Sequence, residues 1–173
     1  MVVVWRALPL HEEIPPEGMS LEEFMDDPHV DVAAMLGKFR ELARERGLEF
    51  NPVNMVCNTR LAHELRAWSR EQHAMGAQFE RRAFAAYFVE GKNLGDTRVL
   101  LDLVHDLGLP RQEAHDVLEA RVFQPIVDRD LAKARKLEIM AAPTFLAHGK
   151  RLVGAHPLEV LRDFSRGRTL ARM

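Results

Sequence analysis

The chain holds a single cysteine, Cys57, in the stretch "NMVCNTRLAHEL" directly ahead of a segment with helical spacing. A thiol just before a helix start lies at the positive end of the helix dipole. There its pKa falls, and the thiolate can form a mixed disulfide with a small thiol. Free cysteine is also commonly a small buried hydrophobe, and both readings stand at this level. One thiol rules out an internal disulfide and a cysteine-rich metal site. It also rules out exchange by a neighbouring dithiol within these residues, because that chemistry needs two sulfurs. The eight histidines show no His-x3-His or Glu-x-x-His spacing, so no metal site is indicated. There is no glycine-rich phosphate loop and no G-x-S-x-G elbow. The remaining stretch of interest is "AAPTFLAHGKRLVGAH", Ala141 to His156. It reads as two short strands joined by a tight turn at Gly149–Lys150 and entered through Pro143, a residue that suits the first position of a strand.

These groups need elements to position them. "VVVWR", Val2 to Arg6, is β-branched and aromatic and reads as a strand. A proline-rich loop follows, and from Ser20 the pattern is helical for more than a hundred residues. Ser20 and Glu23 have the spacing of a capping box. Val32, Met35, Leu36, Phe39 and Leu42 repeat at helical spacing up to Gly47. Leu61, Leu65 and Trp68 form a second stripe, on a helix from Thr59 to Met75 for which Asn58 is a ready N-cap, ended near Gly76. Phe79, Ala83, Ala86 and Tyr87 form a third stripe, ended by Gly91. Asp96 caps Thr97 to Leu107, and Pro110 opens a helix carrying Ala114, Val117 and Leu118. A further helix covers Phe123 to Leu137, and a last one Pro157 to Phe164. Trp5, Trp68, Phe84, Tyr87 and Phe88 are expected as core anchors. "RERGLE" and "MDDPHVD" are expected as solvated faces or turns.

A chain of 173 residues with 47% hydrophobic and 29% charged residues fits one soluble globular core with an insertion. Its net charge of −2 argues against a nucleic-acid partner, which would require a basic patch. No apolar run is long enough to span a bilayer, and Arg6 interrupts the opening one, so no membrane partner and a cytoplasmic location are expected. Strand, helical block, strand, strand, helix is the order of an α/β core with an all-helical insertion.

The segments "VVVWRALPLHEEIP", "CNTRLAHEL", "RRAFAAYFVEGKNLGD" and "RVFQPIVDRDLAKARKLEIMAAPTFLAHGKRLVGAHPLEVL" together resemble the DsbA-like thioredoxin-fold proteins. The resemblance is nearest to the FrnE-type branch, beside the 2-hydroxychromene-2-carboxylate isomerases and kappa-class glutathione transferases. It runs from Val2 to about Phe164, with "NTRLAH" and "APTF" through "GA" its most diagnostic parts. It implies a thioredoxin-like α/β core with a large helical insertion. Residues 1–19 and 138–173 would form the core, and 20–137 the insertion and connecting helix. It also implies a cis bond before Pro143. Ala142 and Pro143 would then present their backbone to an extended thiol or disulfide substrate, protein or small molecule. The implied activity is thiol–disulfide oxidoreduction.

By the same resemblance Asn58 would belong to the thiol-binding cleft, and Gly154, Ala155 and His156 would lie where glutathione-using relatives hold the γ-glutamyl end. Ala155 and His156 replace the polar and acidic types of that pattern, which counts against glutathione as cofactor. The opening "VVVWR" matches the second strand of the family core. The first strand, first helix and Cys-Pro-Trp-Cys-type motif are therefore expected to be missing, and dithiol activity with them. The alternatives are a non-catalytic binding module and a glutathione-dependent isomerase or transferase. An open sheet would be closed by Val2 to Arg6 pairing with Thr144 to His148, by a second copy in a homodimer, or by residues upstream.

Overall fold

The computed structural model describes residues 3–51 and 53–168. The elements run α1 (Leu21–Met25), α2 (Val32–Glu45), α3 (Arg60–His73), α4 (Gly76–Phe88), α5 (Thr97–Asp106), α6 (Arg111–Glu119), α7 (Gln124–Lys136), β1 (Thr144–Ala147), β2 (Lys150–Val153) and α8 (Leu158–Ser165). Local chemistry sets their starts. Ser20 Oγ accepts from Glu23 N at 3.2 Å while the Glu23 carboxylate accepts from Ser20 N at 2.9 Å, a complete capping box. Asp31 and Asp96 cap α2 and α5 through Ala34 N and Arg98 N, each at 2.8 Å. The third helix ends earlier than expected, at Ala74 in the left-handed conformation with φ 54°. Gly76 opens α4, and it has no room for a side chain, since a Cβ there would lie 2.7 Å from Cβ of Arg70.

The chain divides into two compact units, Met1–Leu10 with Arg129–Met173, and His11–Asp128. The helical unit is built on α3, which packs against α4, α5 and α6. Leu65 and Trp68 of α3, Phe79 of α4, Leu100 and Leu103 of α5 and Ala114 of α6 are fully buried. Each large side chain among them contributes roughly 1.5–3 kcal/mol by leaving water. Trp68 keeps its polar edge satisfied by donating from Nε1 to Glu113 at 3.0 Å. Tyr87 is half-buried, as an anchor should be, but Trp5, Phe84 and Phe88 are exposed. Phe84 and Phe88 lie off the buried Phe79–Ala83–Ala86 stripe of α4, and the helical spacing that buries that stripe turns them outward.

In the other unit β1 and β2 form an antiparallel hairpin with Thr144 opposite Val153 and Ala147 opposite Lys150. The turn is His148–Gly149, with φ 52° and 70°, one residue earlier than expected. Two central residues with positive φ are what a two-residue turn of matching twist demands. The opening strand does not form. Val3, Val4 and Trp5 are 61%, 60% and 53% exposed, and Val2 lies outside the described residues. Among the described residues β1 pairs with β2 alone, so the pairing with Thr144 to His148 is absent. β-branched residues favour a strand only where a neighbour completes the ladder. This segment is instead tethered at its end to α7: the buried Asp130 carboxylate accepts from Arg6 Nη1 at 3.2 Å and from Ala7 N at 3.1 Å. No helix among the described residues is long and apolar enough to cross a membrane.

Candidate functional site

Cys57 is 6% exposed and lies beside an isolated antiparallel bridge between Met19 and Val56. Burial pushes its thiol pKa up, and hydrogen bonds from the backbone of Leu94 and Gly95 only partly counter that. Gly95 makes the close approach possible. A Cβ there would lie 2.8 Å from Pro16 O, 3.1 Å from Asn93 Oδ1 and 3.3 Å from Asn58 O. The Asn93 side chain ties the same loops together, donating to Pro16 O at 2.7 Å and accepting from Gly95 N at 2.8 Å. The Tyr87 hydroxyl donates to Met55 O, and burial, with the neighbouring Cys57, pushes its pKa up to about 12. The helix dipole of α3 therefore does not make Cys57 a nucleophile. The thiol should react with an aromatic disulfide reagent at least about 100-fold more slowly in the folded chain than in urea. A folded-state rate near that of a free thiol would contradict this assignment.

Asn58 is committed to its neighbours. Its Oδ1 accepts from Arg60 N at 3.0 Å, and its Nδ2 donates to Glu12 O and Ile14 O, both at 3.0 Å. The formal N-cap of α3 is Thr59, which makes no capping bond, so Asn58 does that work from one residue earlier. Both amide hydrogens are used on the 12–14 loop, leaving none for a ligand.

Beside Asn58 stands a network that the spacing of the sequence does not reveal. Arg60 binds the carboxylates of Glu12 and Asp128 and reaches Glu64 at 3.3 Å. Glu64, 1% exposed, also accepts from Arg121 Nε at 2.9 Å and Nη2 at 2.6 Å. The Arg60 hydrogen bond holds the Asp128 carboxyl below its usual range, despite some desolvation. Arg60 and Glu64 are four residues apart, a recognisable helix pair, but nothing in the sequence links them to Glu12, Arg121 or Asp128.

In the hairpin unit the Ala142–Pro143 peptide bond is cis, and both residues are exposed. Pro143 O accepts from Gly154 N at 2.8 Å, which carries the ladder one step past β1 and β2. Thr144 Oγ1 donates to Ala141 O at 2.6 Å. The N–H and C=O of Ala142 itself have no partner among the described residues. Gly154, Ala155 and His156 lead into α8. His156 Nε2 donates to Val153 O at 2.8 Å, and Glu159 occupies the first turn of α8, where its charge already meets the helix dipole. The structure thus joins Pro143 to Gly154, while Cys57 and Asn58 belong to the helical unit.

Residues 1–165 match the DSBA-like thioredoxin domain. The chain belongs to that family. The uncharacterized protein YwbO of Bacillus subtilis (strain 168) is 31% identical over 117 residues, which are 66% of this chain and 58% of that protein. The chain thus spans less than two thirds of that relative's length. A probable DsbA oxidoreductase from Streptomyces coelicolor superposes with a TM-score of 0.81 at 20% identity, over 97% of this chain and 77% of that one. The cytosolic disulfide reductase DsbM from Pseudomonas aeruginosa superposes with a TM-score of 0.55 at 19% identity, over 86% and 75%. At these identities the likeness is one of fold, and that fold is the expected thioredoxin-like α/β core with a helical insertion, here mostly helical with a two-stranded sheet.

Proposed function

We propose that this chain is the substrate-docking part of a thiol–disulfide oxidoreductase of the FrnE-type branch, and that it holds an extended thiol- or disulfide-bearing peptide along Ala142 and Pro143. The observation that carries this is the open backbone of Ala142. Its exposed N–H and C=O stand unpaired just ahead of a strand whose next carbonyl is already in a ladder. An extended peptide laid there gains main-chain hydrogen bonds as an added strand, each worth about 0.5–1.5 kcal/mol net. Redox turnover by these residues alone is not part of the proposal, because their one thiol is buried and suppressed.

A reduced cysteine-containing peptide should slow amide exchange at Ala142, and its backbone N-methylated analogue should not. Ala142→Pro, which deletes the N–H, should weaken binding about 10-fold, as expected for one lost hydrogen bond. The chain should also fail to reduce insulin. Equal binding of the N-methylated peptide would overturn the docking mode, and insulin turnover would overturn the assignment of chemistry.

A further inference from the structure

Charge is divided unevenly between the two units. Met1–Leu10 with Arg129–Met173 holds eleven arginines and lysines against four aspartates and glutamates, a net charge of +7. His11–Asp128 holds thirteen against twenty-two, a net charge of −9, so the chain's −2 is the remainder of two large opposed charges. The carboxylates of the hairpin unit leave most of its cations unmatched. Asp130 is buried against Arg6 and Ala7 N, Asp163 is bonded to Arg168 at 3.1 Å, Glu159 lies in the first turn of α8, and Glu138 is the fourth. Lys133, Lys136, Lys150, Arg162 and Arg166 are exposed and form no ion pair among the described residues.

The hairpin draws these cations to its turn. Arg151 donates from Nη1 to Glu138 O at 3.0 Å and also bonds Leu137 O, just past the end of α7. His148 Nε2 donates to Ser165 O at 3.0 Å, at the end of α8, and a Cβ on Gly167 would lie 3.4 Å from the His148 ring. The C-terminal ends of both helices therefore meet the hairpin turn. Their last turns carry Lys133 and Lys136 on α7 and Arg162 on α8, with Arg166 as the C-cap. Helix dipoles favour cations at those positions, so the charges gather there without carboxylates to hold them. At the turn lies an open cleft of about 410 Å³ lined by Leu137, Leu146, Ala147, His148, Lys150 and Arg151. Its lining is aliphatic on one part and basic on the other.

We infer that this end of the hairpin unit docks an acidic segment of another protein, one with an aliphatic side chain among its carboxylates. The aliphatic side chain covers Leu137 and Leu146, and the carboxylates meet Lys150 and the unpaired cations at the two helix ends. Charge complementarity carries the inference. A field of +7 over one unit speeds the approach of an acidic partner and selects it against basic ones. A nucleic acid fits less well. The cleft offers no phenylalanine, tyrosine or tryptophan for a base to stack on, its one ring, His148, lies against Gly167, and a long polyanion would also meet a chain whose remaining charge is −9. Ala142 precedes the other end of β1, so this surface is tested separately from the backbone site there.

The probe is a fluorescent peptide of about ten residues, all glutamate around one central leucine, titrated with the 173-residue chain. Its anisotropy should show micromolar binding at about 50 mM salt that weakens at least about 10-fold by about 300 mM. Glutamine in place of the glutamates should abolish binding, and glutamine in place of the leucine should weaken it about 5-fold. Lys150→Glu with Arg166→Glu should weaken it at least about 10-fold, with the thermal melt followed to show that the variant folds. Arg40→Glu with Arg81→Glu, the same change of net charge within the helical unit, should bind like the parent. No binding at about 1 mM, or binding that the Lys150 and Arg166 changes leave intact, would overturn the inference. Tighter capture of a single-stranded oligonucleotide of equal charge would overturn it too, by making the surface a nucleic-acid face. So would a chain mass that rises with concentration and falls back in the Lys150 and Arg166 variant, which would make a second copy the occupant.

Discussion

Glu64→Ala should cost the fold about 3–5 kcal/mol. The carboxylate is 1% exposed and takes two bonds from Arg121 and one from Arg60. Taking it away leaves two guanidinium groups facing each other across the space it filled. Arg60 retains Glu12 and Asp128, whereas Arg121, whose charge the neighbouring Arg60 opposes, retains no bonded carboxylate. In a chain of this length a loss of that size lowers the melting temperature by roughly 6–20 °C. Glu64→Gln, which keeps the shape and one acceptor, should fall between. The bonds are partly buried, so the loss should depend less on salt than that of an exposed pair. Thermal and urea melts of the three proteins would settle the matter. A loss below about 1 kcal/mol for the alanine variant would show that the network is no more than a set of surface pairs.

How much of this was legible in the sequence depends on how local each feature is. The capping box at Ser20, the cap at Asp96, the proline before α6 and the buried stripe of Leu65 and Trp68 are set by residues three or four apart. Expectation and structure agree on them. The hairpin was legible for the same reason, with an error of one residue because His148 can adopt a positive φ as well as Gly149. What failed needed a partner distant in sequence. Val3 to Arg6 carries a strand's composition, but composition does not say whether a neighbour is there to pair with. Phe84 and Phe88 are aromatic, yet only the phase of α4 against its buried Phe79 and Ala86 tells which way they point. The ion network around Glu64 joins residues from 12 to 128, beyond any pattern readable along the chain. Around the candidate site, Ala142 and Pro143 were singled out through resemblance. The open backbone of Ala142, and the commitment of Asn58 and Cys57 to the interior, depend on segments distant in the chain and no local pattern announces them.

Asn58→Ala separates a structural role from a ligand-binding one at the residue where sequence left both open. The side chain makes three hydrogen bonds, to Arg60 N, Glu12 O and Ile14 O, all at 3.0 Å. At about 0.5–1.5 kcal/mol each, their loss should destabilise the fold by about 2–4 kcal/mol. Two carbonyls and the first amide of α3 would be left to water, and Ile14, 2% exposed, would lose the tie that holds its loop down. Amide exchange over residues 12–16 should therefore quicken before the rest of the helical unit responds. Asn58→Asp is the sharper variant. It keeps the acceptor for Arg60 N and sets a carboxylate against two carbonyl oxygens, so it should destabilise at least as much as alanine although it preserves the cap. Peptide affinity at a temperature where each variant is folded should match the parent within about 2-fold, since no Asn58 amide hydrogen is free to reach a ligand. A variant that kept its melting temperature and lost peptide binding would return Asn58 to the binding cleft.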